Sequence, residues 1–173
     1  MKEIMVVGYV EIDGIRTFSD EVMKIVWEQI QKDGVAKTVF NIESIKNSDD
    51  FVHYMKQPTV LPALIIVDEE IAGLGWLANM ERNYAFGNYV FFKKWWGRKT
   101  LSMGKALIKY WFDFQKDGEP LIDVVIGQTP KNNQKACKFI QKIGLTVVGT
   151  IPFMDDGDDM LISYATRKGL NYG

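Results

Sequence analysis

Residues 97 to 104 read Gly-Arg-Lys-Thr-Leu-Ser-Met-Gly. Four of them, Gly97, Thr100, Ser102 and Gly104, are small, and Arg98 and Lys99 are cationic. The segment follows an aromatic run, YAFGNYVFF at 84–92, and leads into a helical pattern in which Met103, Leu107, Trp111 and Phe114 recur three or four apart. At such a strand–turn–helix join, small residues let backbone N–H groups face outward. The helix N-terminus adds partial positive charge, so a phosphate or pyrophosphate is favoured there. Arg98 and Lys99 can reinforce it by direct pairing. The plainer alternative is a helix start capped by Thr100 with two solvated basic residues. A third reading takes the basic-aromatic stretch 91–111 as a surface for nucleic acid or membrane. Twenty-one Lys and Arg against 22 Asp and Glu leave a net charge near −1, which gives no global attraction to either polyanion. The helix also commits its apolar face to a core.

The chain has 173 residues, 47% apolar and 25% charged, which predicts one ordinary soluble domain over 1–173. Its one cysteine, Cys137, excludes an internal disulfide and a cysteine zinc site and points to a reducing cytoplasm; no metal is expected. The start, MKEIMVVGYVEIDG, reads as a strand and not a signal peptide, and no window is apolar enough to span a membrane. His53, the single histidine, has no visible Ser or Cys partner. Cys137 reads as a packing residue that could form a mixed disulfide with a thiol ligand.

The elements that must position the turn follow from periodicity. Met5 to Ile12 is predicted as a first strand. A helix follows Gly14, with Thr17 and Asp20 as a capping box and Gly34 as its stop. Ser48-Asp49-Asp50 starts a second helix. ALIIVDEE (63–70) and IAGLGWLANM (71–80) read as strands joined by an acidic turn, and 84–92 as a central strand. IDVVIG (122–127) is a buried strand, and a helix begins at Asn132 or Asn133 and stops at Gly144. LTVVGTI (145–151) and MLISYAT (160–166) flank an Asp156-Gly157 hairpin signal whose acids lack calcium-loop spacing. This order predicts an α/β or α+β fold with a mixed sheet.

The segment IGQTPKNNQKACKFIQKIGLTVVGTIP resembles the second signature of the GCN5-related N-acetyltransferases, the GNAT family. Asn133, Ala136, Phe139, Gly144, Leu145 and Gly149 match it in order. The 97–104 turn is similar to that family's coenzyme A loop in degenerate form. One frame aligns Lys99, Thr100, Ser102 and Gly104 with it; another makes Gly97 the working glycine. The Trp-Gly-Arg turn paired with a Thr-Pro-x-x-Asn helix start is similar to a divergent branch seen in phage and prophage genomes. The likeness spans about residues 62–167.

The resemblance implies a GNAT-type domain: a mostly antiparallel twisted sheet, about four flanking helices, and central parallel strands that splay apart. It implies acetyl-CoA as cofactor, its pantetheine arm along Phe91, Phe92 and Lys93. Its pyrophosphate would lie on Gly97, Arg98, Lys99, Thr100, Ser102, Met103 and Gly104, with Asn133 nearby. The acceptor would be an amine, on a small molecule or a protein, attacking the thioester directly. Nucleic acid and membrane are not expected as partners, and a homodimer is left open. Glu81 would stand where some relatives hold a base. Tyr164 or Tyr89 could serve as proton donor, because Ile140 occupies the usual tyrosine position. Asp155, Asp156 and Asp158, at a hairpin tip over the acceptor entrance, would favour a cationic amine. The alternative is a GNAT-fold protein that has lost turnover and serves as a coenzyme A-binding or structural module.

Overall fold

A computed structural model describes residues 3–40, 44–155 and 157–170. Among them, seven strands form one sheet: β1 (Ile4–Gly8), β2 (Leu61–Val67), β3 (Glu70–Glu81), β4 (Tyr84–Phe91), β5 (Val124–Pro130), β6 (Thr146–Asp155) and β7 (Asp158–Thr166), in the order β1-β2-β3-β4-β5-β7-β6. The helices are α1 (Asp20–Lys32), α2 (Ala36–Val39), α3 (Ser48–Met55), α4 (Arg98–Asp113) and α5 (Gln134–Lys142). Every neighbouring strand pair is antiparallel except β4 with β5. The mixed, mostly antiparallel α+β architecture is the one the sequence predicts.

Strand alternation divides the core between the two faces of the sheet. On β2, Ala63, Ile65 and Val67 enter a cluster with Met103, Leu107, Ile108 and Trp111 of α4 and Ile140 of α5. Leu64, one residue out of phase, joins the opposite cluster with Met23 and Trp27 of α1 and Phe51 of α3. On β4 the same rule sends Tyr89 and Phe91 toward α4 and α5, and Val90 toward α1 and α3.

Several local expectations shift. The first strand stops at Gly8 and does not run to Ile12. Asp13 (φ 52°) and Gly14 (φ 78°) form a left-handed two-residue turn that folds Glu11–Ile12 back onto Ile15–Arg16. Thr17 does not cap α1. Its hydroxyl bonds Gly8 and Val10, and Ser19 caps the helix by accepting the Val22 N–H. Thr100 is not the N-cap of α4 either; that residue is Gly97.

The feature that positions a site is the contact between β4 and β5. They pair at only three positions, Tyr84 with Val124, Ala85 with Val125 and Phe86 with Ile126. Beyond these, β4 stays bound to β3 as far as Phe91, and β5 stays bound to β7 as far as Pro130. Each strand is held on its outer edge, so the inner edges diverge and leave backbone facing a gap.

Candidate active site

A cleft of about 780 Å³ fills this gap, lined from β4 by Tyr89 and Phe91, from β5 by Gln128 and Thr129, and from α5 by Phe139 and Ile140. Val35, Thr38 and Val39 line its far side. A recess of about 440 Å³ adjoins its mouth, between Gly97, Thr100 and Leu101 of the α4 start and Lys135, Lys138 and Lys142 of α5. The three lysines lie three and four apart, on one face of the helix.

The α4 start is built on a glycine. Gly97 has φ +113° and ψ −131°, a conformation open essentially to glycine alone. Its N–H donates to the Thr100 hydroxyl at 2.9 Å, and Thr100 N–H donates back to its carbonyl at 3.2 Å. With no side chain on Gly97, the first-turn N–H groups gain no side-chain acceptor from the cap. At the α5 start, Asn133 accepts the Ala136 N–H at 3.1 Å. Gly104 contributes space: a β-carbon there would stand 2.5 Å from the Phe139 ring and 2.8 Å from Ile143. The two helices can close on the cleft because residue 104 has no side chain.

The end of β4 is also fixed. Phe92 N–H donates to the Ala72 carbonyl on β3 at 2.9 Å, so alternation turns the peptide edges of Phe91 and Tyr89 toward the gap. Trp96, half-exposed at the mouth, donates its indole N–H to the Phe91 carbonyl at 2.8 Å. Lys93 N–H is held at 2.8 Å by Asp33, a buried carboxylate that also accepts from Gln29.

These placements sort the expected residues. Phe91, Gly97, Thr100, Gly104 and Asn133 line the cleft. Phe92 and Lys93 do not offer it their N–H groups, which are spent on Ala72 and Asp33. Lys99 turns away, pairing with Asp68 at 3.0 Å over the Trp95 ring. Met103 is buried in the core, and Ser102 is exposed outside the lining. Glu81 sits at the turn of the β3–β4 hairpin, opposite Tyr84, whose hydroxyl donates to it at 2.8 Å. That is the end of β4 where the strands are still paired, so Glu81 is not brought to the gap. Tyr164 stands opposite Ile126 on β7, 39% exposed and outside the lining. Asp158 lies on the β6–β7 hairpin and accepts from Asn132, while Lys131 pairs with Asp159 at 3.4 Å; the hairpin thus borders the loop between β5 and α5. The side chains of Arg98 and Asp155, and all of Asp156, lie outside the described residues.

Tyr89 is the one phenol among the described lining residues, and no carboxylate or imidazole accompanies it. Its ring packs 5.1 Å from Phe91 and 5.2 Å from Phe139. Burial, and then the electrostatic influence of Cys137, push its hydroxyl pKa well above the usual phenol range. Asp33 and the α5 lysines belong to no motif; the three and four spacing of 135, 138 and 142 is the signal the sequence carries for the lysines.

Comparison with solved structures settles the architecture. Spermidine N-acetyltransferase from Vibrio cholerae, solved with coenzyme A and spermine, superposes with a TM-score of 0.75 over 96% of this chain and 96% of that one, at 10% identity. The fold is that of the GNAT acetyltransferases. An aminoglycoside acetyltransferase solved with coenzyme A and kanamycin gives 0.70 over 95% of this chain and 96% of that one, at 14% identity. RimL, a ribosomal-protein N-acetyltransferase solved with coenzyme A in disulfide linkage to one of its cysteines, gives 0.69 over 86% and 90%, at 13% identity. No family profile and no curated protein matches the sequence. The likeness reaches the GNAT fold and does not single out a phage or prophage branch.

Proposed function

We propose that this protein is an acyl-CoA-dependent N-acyltransferase that transfers an acetyl group to a primary amine, as one domain in a reducing cytoplasm. The observation that supports this reading is the gap between β4 and β5, open along one edge of each strand and flanked at its mouth by the glycine-capped start of α4 and three lysines. The arrangement fits an extended arm ending in phosphates. Outward peptide edges at Tyr89 and Phe91 can pair with amides, as in an added strand. The α4 N-terminus with Lys135, Lys138 and Lys142 can hold the anionic end. The Trp96 indole has to release the Phe91 carbonyl for an arm to use it.

Bound acyl-CoA supplies the activated carbonyl, and the chain aligns it with the amine. The amine nitrogen bonds to the acyl carbon as the carbon–sulfur bond breaks. With no carboxylate or imidazole among the described lining residues, the amine proton passes to water. Asp158 beside the β5–α5 loop, its charge paired with the neutral Asn132 amide, favours a cationic acceptor, in line with the spermine and kanamycin of the structural neighbours. Cys137, half-buried on α5, is the one thiol this chain would have for a mixed disulfide with coenzyme A of the kind named for RimL.

A second reading, a coenzyme A-binding module without turnover, draws on Ile140, a buried side chain that cannot donate a proton. Thermal melting with millimolar acetyl-CoA, then thiol release with a panel of primary amines, separates the two. A raised melting temperature with thiol release supports the transferase, and a raised temperature without release supports the module. No shift rejects both.

A further inference from the structure

We propose that Trp96 is a self-ligand of the cleft: in the free protein its indole N–H occupies the β4 carbonyl that an amide of the acyl-CoA arm would use, and the arm displaces it on binding. This rests on the acyl-CoA reading above. Phe92 N–H bonds β3 through the Ala72 carbonyl, so the peptide edge of Phe91 faces the gap, beyond the last pair with β5. An open strand edge is a template for any extended chain that can pair with it. Here the Phe91 carbonyl is already taken, at 2.8 Å, by an indole five residues along the same chain. Of the five tryptophans, Trp96 is the exposed one, at 55%, and it lines the cleft beside Gly97. A side chain that stands mostly in water thus turns its one donor inward, onto the edge where an arm would lie.

The contact is built to be exchanged. The backbone beneath the ring is fixed: Asp33 holds the Lys93 N–H at 2.8 Å, Trp95 N–H bonds the Phe92 carbonyl at 2.9 Å, and the backbone N–H of Trp96 bonds the Lys93 carbonyl at 3.2 Å. Release therefore needs a side-chain rotation and no refolding of the turn, and exposed side chains rotate fast. The ring gives up little else, since its contact with the Lys93 ammonium is a loose 5.9 Å. An arm amide that bonds Phe91 replaces a hydrogen bond and does not add one. Affinity is lower than a free edge would give, and the indole sets the threshold for entry.

Trp96→Phe removes the donor and keeps an aromatic ring. Calorimetry should give a Kd for coenzyme A roughly two- to tenfold lower in Trp96→Phe, the effect of one hydrogen bond that no longer has to be displaced. Affinity for ADP, which carries the pyrophosphate and no arm, should be equal in the two proteins. The second readout is the indole N–H signal of Trp96 in wild-type protein with isotope-labelled tryptophans. It is assigned by its absence from Trp96→Phe or, should that variant fail to fold, by its proximity to Lys93. It should be protected from solvent exchange in the free protein and lose that protection with coenzyme A but not with ADP. An equal or higher Kd for coenzyme A in Trp96→Phe, or an indole that stays protected with coenzyme A bound, overturns the proposal and leaves the acyl-CoA reading standing. A gain in affinity shared by ADP also overturns it, because the indole would then obstruct the anionic end and not the arm. Failure of coenzyme A to bind either protein overturns both.

Discussion

The starts of α4 and α5 border the same cleft and are finished in opposite ways. At α5, Asn133 turns its side-chain oxygen back onto the Ala136 N–H, so one orphan donor of the first turn is satisfied within the chain. Ser19 and Asn47 do the same for α1 and α3. At α4 the cap is Gly97, which has no side chain to turn back, and Thr100 instead secures the Gly97 N–H. A side-chain cap serves the helix; a glycine cap leaves the partial positive charge of the terminus for a ligand. The adjoining recess adds charge from α5, whose lysines face the α4 start. In the proposed anion site, one helix contributes backbone and the other side chains.

The contrast can be broken most severely at Gly97. A β-carbon there meets nothing within 4 Å, so Gly97→Ala adds backbone strain without a clash. It should cost about 1–3 kcal/mol of stability, measured by denaturant unfolding. Calorimetry should show acetyl-CoA affinity falling by more than the stability change explains, because the turn must be reset. Lys138→Glu comes next. It should lower affinity roughly tenfold at low salt and less at high salt, since charge-assisted contacts of ~1.5 kcal/mol are partly screened. Asn133→Ala sharpens the other side. It should cost about 1 kcal/mol of stability and leave affinity within a factor of about two, because that cap serves the helix alone. Lys99→Gln should do least: its charge is spent on Asp68, so affinity stays unchanged and stability moves by about 0–1 kcal/mol. A large loss of affinity in Lys99→Gln would mean that the lysine turns toward the cleft when ligand binds.

Much of the fold was legible because it is local. The aromatic and β-branched run at 84–92, the Met103–Phe114 spacing and the strand patterns at 145–151 and 160–166 name elements that the structure contains with small shifts of boundary. The errors share a cause. Met5–Ile12 reads as one strand until the left-handed turn at Asp13 and Gly14 folds part of it into a separate ribbon. Thr17 matches a capping pattern, yet the chain reversal at Gly8 gives its hydroxyl closer carbonyls. Within the site, Gly97 and Asn133 were readable from position because each bonds a partner only three residues on, Thr100 and Ala136. Glu81 and Lys99 were not. A carboxylate at a strand end can lie at either end of a cleft, and a lysine at a turn takes whichever acid the fold supplies.

The sequence by itself determined most of the strands and helices, that a single glycine, Gly97, stands at the turn before α4, and that residue 140 cannot act as an acid. These follow from spacing, from glycine's access to positive φ, and from the chemistry of an alkyl side chain. Only the tertiary structure decided that β4 and β5 part after three pairs, that Lys135, Lys138 and Lys142 and not Lys99 line the recess beside the α4 start, and that Tyr89 packs against Phe139. Each of those depends on partners distant in the chain. Strand divergence is set by what holds the outer edges, and a side chain's direction by the contacts that reach it.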